Sequence, residues 1–263
     1  MTDALHTKAG ARPPKTRIRQ AFERAAPTYD GAAGIQRDIC HALLATLTEA
    51  PPPATLLDAG AGTGYALPLL AERFPAAERL AVDLSPAMLA RIATPCRRLV
   101  GDLEHLPLAD ASLDLYWSSL AVQWCELPRV LAEARRVLRP AGRLAIASLG
   151  PETFTELRAA FAGIDDYRHT LAFHTPEEIA GMARAAGLDE VVVGRRRHLA
   201  HYPDFRSLLK AVKAIGANQL GDGRRRHLMG RAAFAAAEAA ADRGRTAAGL
   251  PLTYDVLILE ART

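Results

Sequence analysis

From residue 55 onward, short apolar runs alternate with longer stretches that have helical periodicity. The apolar runs predict seven β-strands, in the order TLLDA, RLAVDL, RRLVGD, SLDLYWSSL, GRLAIASL, EVVVGRRRHLAH and LTYDVLILEAR. Helical segments separate most of the strands, and LPRVLAEARRVLR and TPEEIAGMARAAG are the clearest of them. This alternation is typical of a parallel sheet with helices on both faces.

Helical patterns also precede the first strand and lie between the last two. Residues 16–26 and roughly 31–49 predict two helices before the stiff APPPA segment, and residues 203–215 and 230–242 predict two more. These later helices replace a standard crossover, so we expect the last strand to be antiparallel. The prediction is an α/β fold with a doubly wound, Rossmann-like, seven-stranded sheet, an N-terminal helical lid and added C-terminal helices. We expect a helical cap at residues 1–54 and a second domain at 55–263, with substrate-side helices at about 203–245.

The segment LLDAGAGTG places Gly60, Gly62 and Gly64 directly after the first strand, with Asp58 two residues before the first glycine. A triphosphate-binding loop would need Lys and Ser or Thr after the last glycine, and a dinucleotide turn would need a small residue where Tyr65 stands. A carboxylate next to a pyrophosphate would also be repelled. The turn therefore suits a nucleoside with a cationic tail and no phosphate, such as S-adenosylmethionine.

Two further acids end the second and third predicted strands. Asp83 can accept hydrogen bonds from a ribose diol, and Asp102 can accept one from the adenine amino group beside the backbone amide of Leu103. Because the carboxyl ends of parallel strands meet at one edge of the sheet, Asp58, Asp83, Asp102 and the segment 114–124 are predicted to surround one crevice.

Five segments together resemble the successive motifs of class I S-adenosylmethionine-dependent methyltransferases: LLDAGAGTG, AVDLSPAML, GDLEHLPL, LDLYWSSLAVQW and EARRVLRPAGRLAIAS. The resemblance implies that S-adenosylmethionine is the cofactor and that residues 55–263 form a class I methyltransferase domain. The cofactor-binding residues that it implies are Asp58, Gly60, Gly62, Gly64, Asp83, Leu84, Met88, Asp102, Leu103 and Ser119.

A narrower resemblance covers nearly the whole chain. AFERAAPTYD, SSLAVQWCE, VKAIGANQL and LPLTYDVLIL are similar to the malonyl-[acyl-carrier protein] O-methyltransferases of one biotin route. This similarity implies methylation of the free carboxyl of a malonyl thioester, on acyl carrier protein or coenzyme A, to give the ester that starts pimelate and biotin synthesis. A carboxylate is already ionised at neutral pH, so only positioning groups are needed. The candidates are Tyr29 as a lid, Gln123 and Trp124 beside the methyl group, and Lys213 as a cation for the carboxylate.

The composition is that of a globular chain, with 49% hydrophobic and 24% charged residues among 263. The N-terminus lacks the apolar core of a signal peptide and no run is long enough to span a membrane, so we expect a cytoplasmic protein without membrane association. Cys40, Cys96 and Cys125 are far apart and show no zinc-binding spacing, so we expect no metal. We also expect a monomer.

Positive charge is concentrated in the C-terminal third. Residues 191–263 hold 13 Lys and Arg against 6 Asp and Glu, a net charge of +7, and GRRRH occurs at both 194–198 and 223–227. The two Arg runs, Arg195–Arg197 and Arg224–Arg226, are either solvated surface or a docking patch for an acidic partner such as acyl carrier protein.

Three other functions stay open. The chain could methylate a different small molecule, such as a quinone-like compound or another carboxylic acid. It could bind the cofactor without catalysis. It could also bind nucleic acid through its basic C-terminal third, although no aromatic residue is interleaved with the Arg runs, so we expect no nucleic-acid partner.

Overall fold

A computed structural model describes residues 13–47, 51–165, 167, 169–214 and 229–263. Within these residues seven strands form one sheet, in the spatial order β3-β2-β1-β4-β5-β7-β6. The strands are β1 (Thr55–Ala59), β2 (Glu78–Asp83), β3 (Arg97–Val100), β4 (Leu113–Ser119), β5 (Leu138–Leu149), β6 (Asp189–Tyr202) and β7 (Leu250–Arg262).

Strands β1 to β5 pair in parallel, whereas β7 runs antiparallel to both β5 and β6. The predicted fold class, including the antiparallel last strand, is confirmed. The chain reverses its direction of winding between β1 and β4, and the carboxyl ends of these two strands are where a doubly wound sheet binds its ligand.

Helices cover both faces of this sheet. They are α1 (Lys15–Ala25), α2 (Tyr29–Ala32), α3 (Gly34–Leu44), α4 (Ala66–Arg73), α5 (Pro86–Leu89), α6 (Leu127–Val137), α7 (Thr155–Phe161), α8 (Pro176–Ala185), α9 (Phe205–Ala214) and α10 (Arg231–Asp242). Among the described residues, no helix combines the length and the apolar character that crossing a bilayer requires.

The core consists of two main apolar layers, one on each face of the sheet. Neighbouring residues of a central strand point to opposite faces, so Leu56 packs in one layer and Leu57 in the other, and both are fully buried. This explains why the central strands are apolar runs rather than alternating patterns.

The helices before the first strand share this core. Ile39 and Leu43 of α3 are fully buried in the same layer as Phe205 and Leu208 of α9. The N-terminal helices are therefore packed against the sheet. The boundary between a cap at 1–54 and a domain at 55–263 stays a prediction.

Several element boundaries differ from the sequence-based expectation. The helix expected at 31–49 is replaced by α2 and by α3, which ends at Leu44. The helix that follows β2 is limited to the four residues of α5, where the Ser85 side chain accepts a hydrogen bond from the Met88 amide. Helix α7 was not predicted: it has seven residues, and its apolar residues Leu157, Ala160 and Phe161 span little more than one helical turn.

The first Arg run is largely paired within the fold. Arg195 donates two hydrogen bonds to the carboxylate of Asp255, at 2.6 and 2.9 Å, and contacts Glu152 at 2.8 Å. Arg197 also pairs with Glu152. Only Arg196 is exposed without an ion pair to another described residue, so this run is a weaker docking patch than its sequence suggested. Residues Arg224–Arg226 lie outside the described residues.

We expect Arg195→Ala to lower both the melting temperature and the urea midpoint clearly. Asp255 is only 1% exposed, and without Arg195 its buried charge would lose its cation. The neighbouring variant Arg196→Ala is the matched control, because it removes the same side chain from the same strand without breaking an ion pair. Equal melting temperatures for the two variants would contradict this account of the Arg run.

Candidate active site

The turn after β1 depends on its glycines. Gly60 has a φ of +77°, and a Cβ atom there would lie 2.1 Å from the Cβ of Ala121, in the loop after β4. Gly62 also has a positive φ, but a Cβ atom there would meet no atom within 4 Å. The first glycine therefore permits close packing of two loops, and the second leaves open space beside the turn.

A cavity opens at this edge of the sheet, with an empty volume of about 1040 Å³ that includes the solvent at its mouth. It brings together residues that are far apart in sequence. Of the predicted site residues, those that line it are Tyr29, Asp58, Gly60, Gly62, Asp83, Leu84, Met88, Asp102, Leu103, Ser119 and Trp124.

Asp58 is the most unusual group in the cavity wall. Its side chain is 2% exposed, and its Oδ2 atom is buried without a hydrogen-bond partner among the described residues. Burial, together with the charge of Asp83, raises the pKa of Asp58 to about 7. A buried acid of this kind is stabilised by a cation placed in the cavity.

Asp83 joins the glycine turn to the start of α5. Its Oδ2 accepts a hydrogen bond from the Gly62 amide at 2.9 Å, and its Oδ1 accepts one from the Ser85 amide at 2.8 Å. Burial raises the pKa of Asp83, and these backbone hydrogen bonds oppose that rise. Each carboxylate oxygen retains a second lone pair, so Asp83 can still accept from a ligand.

Asp102 is held by a lysine from the N-terminal helices. The Lys15 ammonium donates to Asp102 at 2.9 Å, lies 2.6 Å from Glu104 and contacts the Cys125 sulfur at 3.4 Å. Burial alone would lower the pKa of Lys15, but these three groups raise it above its ordinary value. The side chains of Asp102, Glu104 and Cys125 lie close enough together to bind a metal ion. The ammonium group of Lys15 already supplies a positive charge at that position.

Aromatic side chains form part of the cavity wall. The ring of Phe22 packs edge-on against Tyr29 at 6.4 Å and against Trp124 at 5.8 Å. Burial, and after it the charges of Asp83 and Asp30, raise the pKa of Tyr29 to about 12. Tyr29 is therefore a neutral phenol that adds apolar surface and one hydroxyl to the site.

Three predicted residues lie elsewhere. Gln123 faces a separate small cavity, and its amide donates to the Leu120 carbonyl at 2.6 Å. Gly64 lies behind the cavity wall against Ile92, where a Cβ atom would be 2.8 Å from the Ile92 side chain. Lys213 is exposed on α9 and does not line the cavity. The structure therefore does not bring Gln123 or Lys213 into the large cavity, and their expected roles beside the reacting groups stay predictions.

Sequence reasoning missed Lys15, Arg37 and Tyr65, which all line the cavity. Both basic residues come from helices that precede the sheet, and no motif placed them near the strand ends. The sequence does contain one sign of their proximity: Arg37 and His41 are four residues apart, which places both side chains on the same face of a helix. In the structure both side chains contact Tyr65.

These features fit S-adenosylmethionine. The compound carries a sulfonium and an ammonium group, whose positive charge suits the buried carboxylate of Asp58 in the cavity wall, and its ribose diol suits Asp83. The open space above Gly62 would accommodate the ligand against the turn. The carboxylates of Asp58, Asp83 and Asp102 in the cavity wall would repel a phosphate group.

Comparison with known proteins agrees with this chemistry. Residues 57–146 match the family model described as "Methyltransferase domain". The chain is 64% identical to a malonyl-[acyl-carrier protein] O-methyltransferase of Dechloromonas aromatica, and the match covers 100% of both chains. It is 36% identical to the biotin biosynthesis bifunctional protein BioHC of Cellvibrio japonicus, over 93% of this chain and 49% of that protein.

Among solved structures, the [4+2]-cyclase SpnF superimposes with a TM-score of 0.61 at 19% identity, over 97% of this chain and 98% of that one. At this identity the likeness shows the fold alone. The full-length match to the Dechloromonas protein goes further: the chain belongs to the malonyl-[acyl-carrier protein] O-methyltransferase family of S-adenosylmethionine-dependent class I methyltransferases.

Proposed function

We propose that this enzyme transfers the methyl group of S-adenosylmethionine to the free carboxyl of a malonyl thioester carried on acyl carrier protein. The full-length similarity to a malonyl-[acyl-carrier protein] O-methyltransferase carries the proposal. The similarity to a biotin biosynthesis protein supports a role in making the methyl ester from which the biotin precursor is built.

S-adenosylmethionine supplies an electrophilic methyl group on a positively charged sulfur. The chain binds it through the acids at the strand ends: Asp58 near the cationic tail, Asp83 at the ribose and Asp102 at the adenine. Lys15 fixes the orientation of Asp102 and leaves its Oδ2 atom free to accept a hydrogen bond.

The acceptor needs no general base, because its carboxylate is ionised at neutral pH. A carboxylate oxygen forms a bond to the methyl carbon as the bond from carbon to sulfur breaks, so a negative and a positive charge neutralise each other. An apolar wall that excludes water favours such a reaction. Phe22, Tyr29 and Trp124 provide that wall.

The carrier protein would dock on the C-terminal third of the chain. Lys210, Lys213 and Arg196 are exposed there without an ion pair to another described residue. Acyl carrier proteins are acidic, and complementary charge mainly accelerates association. No feature of the described residues excludes malonyl-coenzyme A, and both thioesters are therefore included in the test below.

The substrate prediction is tested by transfer of labelled methyl groups. We expect label in malonyl-acyl carrier protein and in a short malonyl thioester of N-acetylcysteamine, and none in acetyl-acyl carrier protein, which lacks a free carboxyl. Malonyl-coenzyme A and free malonate, assayed alongside, define what the carrier contributes. If the protein binds S-adenosylmethionine but labels no malonyl thioester, the proposed acceptor is wrong.

The pKa of Asp58 makes cofactor binding dependent on pH. Its folded pKa of about 7 lies above the ordinary value of 3.8, so the carboxylate becomes protonated as the pH falls through 7 and loses its attraction for a cation. We expect the affinity for S-adenosylmethionine, measured by calorimetry, to fall by up to roughly tenfold in total between pH 8 and pH 6.

The matched variant Asp58→Asn should bind more weakly, with little dependence on pH. A raised carboxyl pKa stabilises the folded protein at low pH, and that contribution is lost as the pH rises from 4 through 7. The ligand-free variant should therefore resist urea better than the natural chain at pH 8. A variant that is less stable at pH 8, with unchanged affinity, would show that Asp58 has a purely structural role.

Tyr29 is expected to close the cavity. Tyr29→Ala should reduce methyl transfer far more than it reduces the melting temperature, because it opens the aromatic wall to water. Tyr29→Phe keeps the ring and should retain most of the activity. Parallel losses of activity and stability in the alanine variant would identify Tyr29 as a packing residue instead.

A further inference from the structure

Two basic side chains, Lys15 and Arg37, line the cavity among the residues that the structure describes. The ammonium group of Lys15 already has three partners, the carboxylates of Asp102 and Glu104 and the sulfur of Cys125. Arg37 forms no ion pair with any described residue. A negatively charged group of a ligand can therefore pair with the guanidinium of Arg37.

The guanidinium of Arg37 is held in place but incompletely bonded. Its Nη2 atom donates to the backbone carbonyl of Asp30 at 2.8 Å, and its carbon lies 5.1 Å from the centre of the Tyr65 ring. Its Nε atom is buried and has no hydrogen-bond partner in the part of the chain that the structure describes. Five N–H donors thus make one hydrogen bond, and a buried donor without a partner is costly.

The neighbouring groups fix the geometry without neutralising the charge. Arg37 and His41 lie one turn apart on α3, and His41 Nε2 is 2.8 Å from the Tyr65 hydroxyl. The Asp30 carboxylate accepts a hydrogen bond from the Thr63 hydroxyl at 2.6 Å rather than pairing with Arg37. The side chain is consequently preorganised over Tyr65, with its charge available to the cavity.

We propose that Arg37, supported by Tyr65 and His41, forms a carboxylate-binding subsite in the cavity. A planar guanidinium matches a carboxylate with two parallel hydrogen bonds. A phosphate dianion fits poorly, because Asp30, Asp58 and Asp83 line the same cavity. This inference rests on the proposed function, in which two ligands carry such a group: the α-carboxylate of S-adenosylmethionine and the free carboxylate of the malonyl thioester.

The test compares Arg37→Gln with Arg24→Gln, a control that removes an exposed arginine from α1. Calorimetry measures the affinity for S-adenosylmethionine and for decarboxylated S-adenosylmethionine, which lacks only the α-carboxylate. Steady-state kinetics measure KM for the short malonyl thioester, which avoids any contribution from carrier docking. Circular dichroism and the melting temperature establish that both variants are folded.

The two candidate ligands, the carboxylate of the cofactor and that of the malonyl group, predict different results for Arg37→Gln. If the cofactor's carboxylate occupies the subsite, Arg37→Gln weakens S-adenosylmethionine by about tenfold or more and leaves the decarboxylated form unchanged. If the malonyl carboxylate occupies it, cofactor affinity is unchanged and KM rises by about tenfold or more. Arg37→Lys should recover part of either loss, because it restores the charge but not the planar geometry.

Two results would overturn the subsite. One is equal weakening of both forms of the cofactor, which would mean that Arg37 acts only by packing on Tyr65. The other is a folded Arg37→Gln variant that matches the control in cofactor affinity and in KM. A natural enzyme inactive on every malonyl thioester would refute the proposed function instead, and the comparison of the two cofactor forms would still decide the subsite.

Discussion

The site is organised around a carboxylate that the protein buries without a partner. Asp58 lies at the end of β1, under the glycine turn, and its Oδ2 atom is shielded from solvent and has no hydrogen-bond donor among the described residues. Such a group lowers the stability of the ligand-free fold at neutral pH. The surrounding sheet tolerates this because β1 is paired on both sides, by β2 and β4. A cation bound in the cavity would remove this cost.

Much of the fold and one side of the site could be predicted from the sequence, because both depend on local rules. Apolar runs locate strands, and the carboxyl ends of parallel strands must meet at one edge, so Asp58, Asp83 and Asp102 were correctly brought to one cavity. Gln123 shows the limit of this reasoning. It lies beside Trp124 in sequence, but the short 3₁₀ turn Val122–Trp124 directs the two side chains into different cavities.

The residues before the first strand were harder to predict. Lys15, Tyr29 and Arg37 reach the cavity only because α1 to α3 pack over the carboxyl edge of the sheet, and that packing is set by contacts between distant parts of the chain. The sheet thus supplies Asp58 and Asp83 to the cavity wall, whereas these helices supply both of its basic side chains among the described residues and much of its aromatic surface. The cavity is therefore formed by two regions of the chain that pack against each other.

The paired Arg run on β6 has a consequence for the edge of the sheet. Strand β6 is 14 residues long and hydrogen-bonds only to β7 within the described sheet, so its outer edge carries unpaired backbone groups. Long edges of this kind invite strand exchange between molecules and aggregation. Arg196 is exposed on this strand without an ion pair to another described residue. A charged side chain on an edge strand opposes the pairing of that edge with a second strand.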